Sequence, residues 1–380
     1  MRVLTLIDSL AVGGAERSLA MMTPELVERG VEMHVASLVR RDGVGPDLKS
    51  GGATVHSLAG PGGRFRAIWR TMRLIRELRP DILHTTLFEA DIVGRVAGRL
   101  TGVPTISSFV TEAYGPEHYN NPEYHPIKVR GAHWVDVLTA RLVTRFHAVS
   151  ASAADVMSSR LRVSRQKIDV IHRGRDPKRI GVRTTERRNL ARKSLGIDDD
   201  TPLILSVGRH YHFKGLDLVV HAMKDVLEVI PNCQLVIAGR EGPATPELLA
   251  IAEQDGTSDH LSIAGYRSDI ADLMCAADVF VLPSRAEGSP GVLIEAMALE
   301  VPTVASDIPS VRELVDTDCE VVVLAAFESP KDIAAGIIEL IQDPERALEL
   351  TAAARERYLS RYTMSAIADD TLALYRSVAS

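Results

Sequence analysis

Leu203-Ile204-Leu205-Ser206-Val207-Gly208 is the stretch on which the fold turns. Four of its first five residues are apolar and a glycine closes it, as in a short strand covered by helices on both faces. It restarts a rhythm. Upstream, similar short runs at Val3 to Ile7, Val31 to Leu38, Ala53 to Leu58, Ile82 to His84, Pro104 to Ser107, Phe146 to Val149 and Ile168 to Ile171 alternate with longer segments of helical period. Downstream the series continues at Leu235 to Ala238, Leu261 to Ala264, Val279 to Leu282, Pro302 to Ala305 and Val321 to Leu324. Strands alternating with crossover helices predict an α/β chain of two Rossmann-like, doubly wound domains facing each other across a cleft. The expected divisions are residues 1–176, a polar linker 177–200 opening on the turn signal Gly174-Arg175-Asp176-Pro177, a second domain 201–361, and a terminal helix 362–380 that returns to the first domain.

The length of 380 residues suits two domains, and 46% apolar with 25% charged residues excludes a disordered chain. Cys233, Cys275 and Cys319 are too scattered for a disulfide framework or a Cys-x-x-Cys metal site, which favours a reducing compartment. The start, Met1 to Asp8, lacks the long apolar segment of a signal peptide, and no run approaches a membrane span. A cytoplasmic protein is expected, able to work at the inner face of a membrane. Residues 1–190 carry 29 Lys and Arg against 19 Asp and Glu, whereas residues 191–380 carry 15 against 31. The first half thus suits an anionic partner. It lacks the interleaved aromatic residues of a single-strand nucleic-acid surface, so nucleic acid is not expected.

Chemistry concentrates after the second-half strands. Following Val279 to Leu282 come Pro283-Ser284-Arg285-Ala286-Glu287-Gly288-Ser289-Pro290-Gly291-Val292-Leu293-Ile294-Glu295. A helix opening at Gly291 and Val292 would present backbone amides to a phosphate. Glu287 and Glu295 would repel that phosphate directly, so they are suited to neutral hydroxyls of a ribose and a sugar. The plainer alternative is a cap for Glu287 and an Arg partner for Glu295. After Leu203 to Val207, Gly208, Arg209 and Lys214 form a loop whose cations could neutralise a departing diphosphate. Gly13 and Gly14 follow the first strand and could admit a ligand or merely make a tight turn; they do not spell the dinucleotide fingerprint.

Together these motifs resemble the family-4 retaining glycosyltransferases of the GT-B fold. The likeness includes Gly13-Gly14-Ala15-Glu16-Arg17, Ser206 to Gly215, Glu287 to Glu295, His147-Ala148-Val149-Ser150, Val170 to Asp176 and the Gly239 loop. It implies a metal-independent enzyme of hexosyltransferase type without a cofactor, using a UDP- or GDP-linked sugar as co-substrate and a hydroxyl acceptor, lipid-linked or anionic, in bacterial polysaccharide or glycoconjugate synthesis. It further implies that Arg209 and Lys214 hold the diphosphate, Glu295 the ribose and Glu287 the transferred sugar. Gly239, Tyr266 and Arg267 would lie near the base, with Gly208, Ser289, Gly291 and Val292 completing the donor site. Gly13 and Gly14 would face the phosphates and the acceptor from the first domain. Catalytic roles fall to Arg209, Lys214 and Glu287.

Two departures from the family pattern stand out. The histidine usual after the fifth strand is replaced by Phe109-Val110-Thr111-Glu112, leaving Glu112 and His118 as acceptor-side candidates; His125 and His133 read as packing or surface residues. Ser289-Pro290 stands where Phe-Gly is common, and Pro290 offers no N–H. Asp316-Thr317-Asp318 has the letters of a metal-binding Asp-x-Asp but falls in an expected surface loop, so no metal is assigned. Arg64 to Arg79 predicts a basic helix with Phe65, Ile68, Trp69, Met72 and Ile75 on one stripe, either lying on an anionic membrane or packing on the sheet. Two other functions stay open: a sugar-nucleotide epimerase of the same fold, and a silent sugar-nucleotide-binding subunit.

Overall fold

A computed structural model describes residues 1–115, 125–315 and 320–379. The chain divides into two compact units, residues 1–176 with 364–380, and residues 177–363.

In the first unit, β1 (Arg2–Leu10), β2 (Glu32–Asp42), β3 (Thr54–Ser57), β4 (Ile82–Thr86), β5 (Thr105–Phe109), β6 (Arg145–Ala148) and β7 (Ile168–Val170) form one parallel sheet in the order β3-β2-β1-β4-β5-β6-β7. In the second, β8 (Leu203–Val207), β9 (Gln234–Ala238), β10 (Leu261–Gly265), β11 (Val279–Leu282), β12 (Thr303–Ser306) and β13 (Val323–Ala325) are ordered β10-β9-β8-β11-β12-β13. Both sheets are α/β and doubly wound, so every strand read from an apolar run is present. The interior strands are apolar because helices cover both faces: β11 is buried throughout, with Phe280 and Leu282 in one core and Val279 and Val281 in the other. Strand order reverses beside β8, which pairs with β9 on one side and β11 on the other. Loops leaving the carboxyl ends of β8 and β11 therefore begin at a topological switch point, where open α/β sheets bind ligands.

Residues 177–200 are not a free linker. They form the helices Pro177–Ile180 and Thr185–Leu195 and belong to the second unit. Their arginines turn inward onto main-chain oxygens: the fully buried Arg192 donates to the carbonyls of Ala276, Asp198 and Thr201, and Arg183 to those of Cys275, Ala277 and Glu300. Arg187 pairs with Asp272. A guanidinium has five donors, enough to satisfy several carbonyls at a helix end.

The terminal helix Met364–Ala379 belongs to the first unit, where Ile367, Ala368, Leu372 and Tyr375 join the core with β1 and β4. Tyr362 remains in the second unit, its hydroxyl donating to the Leu314 carbonyl. Arg29 ties the helix down through Asp369 and Ser365. Beneath it runs a buried chain of polar contacts: Tyr375 Oη meets His84 Nδ1 at 2.7 Å, His84 Nε2 meets Ser108 Oγ at 2.7 Å, and Ser108 Oγ meets His147 Nδ1 at 2.9 Å.

Burial, aided by the neighbouring His147, pushes the His84 imidazole down to about 3 from its ordinary value of 6.5. The unfolded chain therefore binds more protons between these values, so stability is fully present above pH 6.5 and falls as pH drops toward 3. Asp8 and Asp91, both pushed up to about 6 chiefly by burial, act in the opposite sense over pH 4 to 6. Comparison with a single variant isolates the histidine. His84→Gln should flatten the acid side of the stability curve by up to about 1.4 kcal/mol per pH unit. Urea unfolding at pH 7.5, 6, 5 and 4 tests this, and parallel curves for the two proteins would refute it.

Candidate functional site

Three loops at the carboxyl edge of the second sheet are held together by backbone contact. Gly239, after β9, lies so close to the Gly208 carbonyl oxygen that a Cβ on it would fall 1.8 Å away. Gly215, which ends the β8 loop with φ of 62°, lies equally close to Pro283: a Cβ there would meet the Pro283 oxygen at 1.9 Å. Only glycine fits at these two places. The approach brings Lys214 and Glu287 into contact, although 73 residues separate them. Lys214 Nζ donates to Glu287 Oε1 at 2.5 Å, and the buried Ser284 hydroxyl donates to the same oxygen at 2.8 Å. Both charged side chains are largely sequestered, which strengthens their interaction relative to an exposed pair.

Arg285, which sequence reasoning passed over, fixes this loop. Its guanidinium grips both Asp217 oxygens at 2.7 and 2.6 Å, bonds Glu328 at 2.7 Å and donates to the His212 carbonyl at 2.8 Å. The carboxylates hold its pKa above the ordinary arginine value, and the guanidinium in turn lowers that of Asp217 despite burial. His210 was also missed. It is buried, its Nδ1 lies 2.9 Å from Thr245 Oγ1, and its backbone binds the Arg240 carbonyl and the Ala244 amide. Burial lowers its pKa, favouring the neutral ring. The sequence signal for each was a polar residue immediately after a buried strand, but its partner lay too far along the chain to be paired.

The other donor candidates occupy the same edge to different degrees. Arg209 is exposed, its guanidinium 5.2 Å from the Tyr211 ring centre, and Lys214 lies 5.4 Å from that of Phe213. The helix Gly291–Ala298 opens at Pro290, whose side chain supplies no cap, so the amides of Gly291 and Val292 stand at its mouth. Ser289, just before, is buried, and its hydroxyl has no hydrogen-bond partner among the described residues. Glu295 lies one turn into this helix. Tyr266 is exposed with Arg240 over its ring at 5.8 Å, whereas Arg267 is folded back onto Asp269 by bonds of 2.8 and 2.5 Å.

The first-unit candidates form a separate group. Gly13 caps the helix Gly14–Glu28 and lies against the Glu16 carboxylate; Gly14 lies beside Arg173. Glu112 accepts from Ser152 Oγ at 2.8 Å. His133 stacks on Tyr114 and contacts the Arg160 carbonyl, and His125 accepts from the Ile127 amide. These contacts give both histidines structural work. His118 and Asp316 to Asp318 lie outside the described residues.

Comparison with known proteins places the chain. The description "Glycosyltransferase Family 4" matches residues 12–179, and "Glycosyl transferases group 1" matches residues 187–357. The chain belongs to the family-4 glycosyltransferases of GT-B fold. The α-D-kanosaminyltransferase of Streptomyces kanamyceticus is 25% identical over 386 residues, spanning 99% of this chain and 98% of that one. A D-inositol 3-phosphate glycosyltransferase of Thermobispora bispora is 27% identical over 89% of this chain and 79% of its own. Among solved structures, Anabaena Alr3699/HepE in complex with UDP superposes with a TM-score of 0.85 at 20% identity, covering 99% of this chain and 100% of that one.

The glycine contacts make a direct test. Gly215→Ala forces the β8 loop away from Pro283, in addition to straining a left-handed residue, and should destabilise the second unit by about 2–4 kcal/mol. Thermal unfolding of the two proteins measures this; an unchanged Tm would show that the close approach does not exist.

Proposed function

We propose that this family-4 glycosyltransferase is a retaining enzyme that transfers a sugar from a nucleoside diphosphate to a hydroxyl acceptor, without a divalent metal or a further cofactor. The observation that carries the reading is the Lys214–Glu287 contact beside the uncapped mouth of the Gly291 helix, at the switch point of the second sheet. A donor entering there meets amides and cations suited to its diphosphate and carboxylates suited to its hydroxyls.

In this reading Arg209, Lys214 and the Gly291 and Val292 amides hold the diphosphate, with Ser289 adding a hydroxyl in place of the N–H that Pro290 lacks. Glu295 takes the ribose diol, Glu287 the transferred sugar, and the Gly208 and Gly239 backbone with Tyr266 borders the base. Arg267 has a smaller part, because Asp269 already compensates its charge. The acceptor oxygen attacks the anomeric carbon from the face that the diphosphate leaves. The new C–O bond forms as the sugar–phosphate bond breaks, the acceptor proton passes to a diphosphate oxygen, and the nucleoside diphosphate departs. The cations stabilise charge that grows on the leaving group, an electrostatic contribution that serves better when already in place.

A uridine nucleotide is the favoured donor class. Support comes from relatives: Alr3699/HepE has been solved with UDP and with UDP-glucose, and a 29% identical Escherichia coli enzyme, matching 62% of this chain, is a UDP-Gal:alpha-D-GlcNAc-diphosphoundecaprenol alpha-1,3-galactosyltransferase. That same name fits a lipid-linked acceptor and bacterial glycoconjugate synthesis at the inner face of a membrane.

UDP should raise the Tm more than GDP, ADP or TDP at equal concentration, since a ligand selective for the folded state stabilises it. Slow hydrolysis of UDP-sugars in the absence of acceptor, followed by mass spectrometry, should fall about 10²–10³-fold in Lys214→Ala and Glu287→Ala with folding preserved. Tight UDP-sugar binding without any cleavage, with or without acceptors, would instead identify a silent binding subunit; rearrangement of the donor sugar would identify an epimerase.

A further inference from the structure

The first sheet carries an outer layer that the proposed chemistry does not use. The crossover helices Gly63–Leu78, Phe88–Thr101 and Pro126–Ala140 pack side by side in that order. The first of them buries only part of the stripe expected from its period: Ile75 is buried, and Ile68 and Met72 pack against the same core. Ala67, Thr71, Leu74 and Ile75 face the core, whereas Phe65 and Trp69, one turn apart, are 90% and 59% exposed. Arg73 and Arg76 continue the same face along the helix and are also exposed.

The third helix repeats this arrangement. Ile127, Trp134 and Leu138, spaced seven and four residues apart, are 71%, 57% and 59% exposed and lie on one side. Lys128 and Arg130 are exposed beside them, and Arg162 stands 5.5 Å from the Trp134 ring centre. The one acid of this helix, Asp136, is turned inward and bonded to the buried Arg95. On the exposed side of the first helix Glu77 is the one acid. Both tryptophans of the chain are thus exposed in a single helical layer, set among arginines and lysines.

We infer that this layer docks on an anionic lipid bilayer. Tryptophan and phenylalanine side chains standing out of a basic surface suit the boundary between headgroups and acyl chains, while arginine and lysine stems reach back to the phosphates. The charge identifies the occupant: a basic face with little acidic charge complements anionic lipid, where each cation near the surface adds to attraction. The inference is independent of the donor chemistry and needs no turnover to be tested.

The two tryptophans are the reporters. Adding phosphatidylglycerol/phosphatidylcholine vesicles at a 1:1 ratio should shift their emission to the blue, and brominated lipid should quench it. Pure phosphatidylcholine should do neither, and raised salt should reverse binding. Trp69→Phe and Trp134→Phe leave one reporter each, and both should respond. Arg73→Glu with Arg76→Glu should weaken partitioning by at least about 30-fold. Phe65→Ser with Trp69→Ser should lower it about tenfold or more at unchanged Tm.

Absence of a shift and of quenching in the unaltered protein would overturn the inference, as would equal binding to neutral and anionic vesicles. A lipid-free dimer in sedimentation, broken by Phe65→Ser with Trp69→Ser, would assign the face to a second copy of the chain instead.

Discussion

Two contacts of backbone with backbone, Gly215 on Pro283 and Gly239 on Gly208, set the geometry of the second unit's carboxyl edge. Neither depends on side-chain chemistry, yet both determine where side chains arrive. Parallel strands bring successive loops to one edge but leave them a strand spacing apart. Removing Cβ atoms lets the loops close the remaining gap. Lys214 and Glu287 then meet at 2.5 Å, and Arg285 holds the assembly by engaging Asp217, Glu328 and a carbonyl at once. Such a network suits electrostatic catalysis because little reorganisation remains when charge develops.

The strands could be read from the sequence because burial on two faces leaves a direct mark on composition. Val279 to Leu282 could hardly be anything else between two turn signals. Helix faces were less legible. A 3.6-residue period put Phe65, Ile68, Trp69, Met72 and Ile75 on a shared stripe, but the face that meets the sheet is decided by packing, which centred it on Ala67, Thr71, Leu74 and Ile75 and left Phe65 and Trp69 outside. Arginine misled for a related reason. In residues 177–200 its polarity suggested solvent, whereas Arg192 and Arg183 use their forks on carbonyls brought in from distant segments. No local pattern distinguishes a guanidinium aimed at water from one aimed at a main-chain oxygen.

The candidate site divides along the same line. Lys214, Glu287 and the Gly291 helix could be named because each follows a strand directly. Arg285 and His210 sit in those same loops but act through Asp217, Glu328 and Thr245, whose proximity is a tertiary fact. Arg267 illustrates the reverse: its position in the chain suited a ligand contact, and Asp269 two residues on claims its guanidinium.

The helix mouths that follow β1, β4 and β11 differ in what they already hold. At Phe88–Thr101 in the first unit, the Asp8 carboxylate accepts from the Ala90 amide at 2.7 Å and from Glu89 at 3.4 Å, so that mouth already holds an anion. At Gly14–Glu28 the buried Glu16 lies against Gly13 and would repel a phosphate, while Arg173 beside Gly14 would attract one. The Gly291 helix has neither a capping side chain nor an acid in its first turn. Of these three mouths it is the one neither filled by a carboxylate nor flanked by an acid in its first turn, and Glu287 and Glu295 stay outside that turn. At Gly13 and Gly14, by contrast, Glu16 and Arg173 bring charges of opposite sign to one helix mouth.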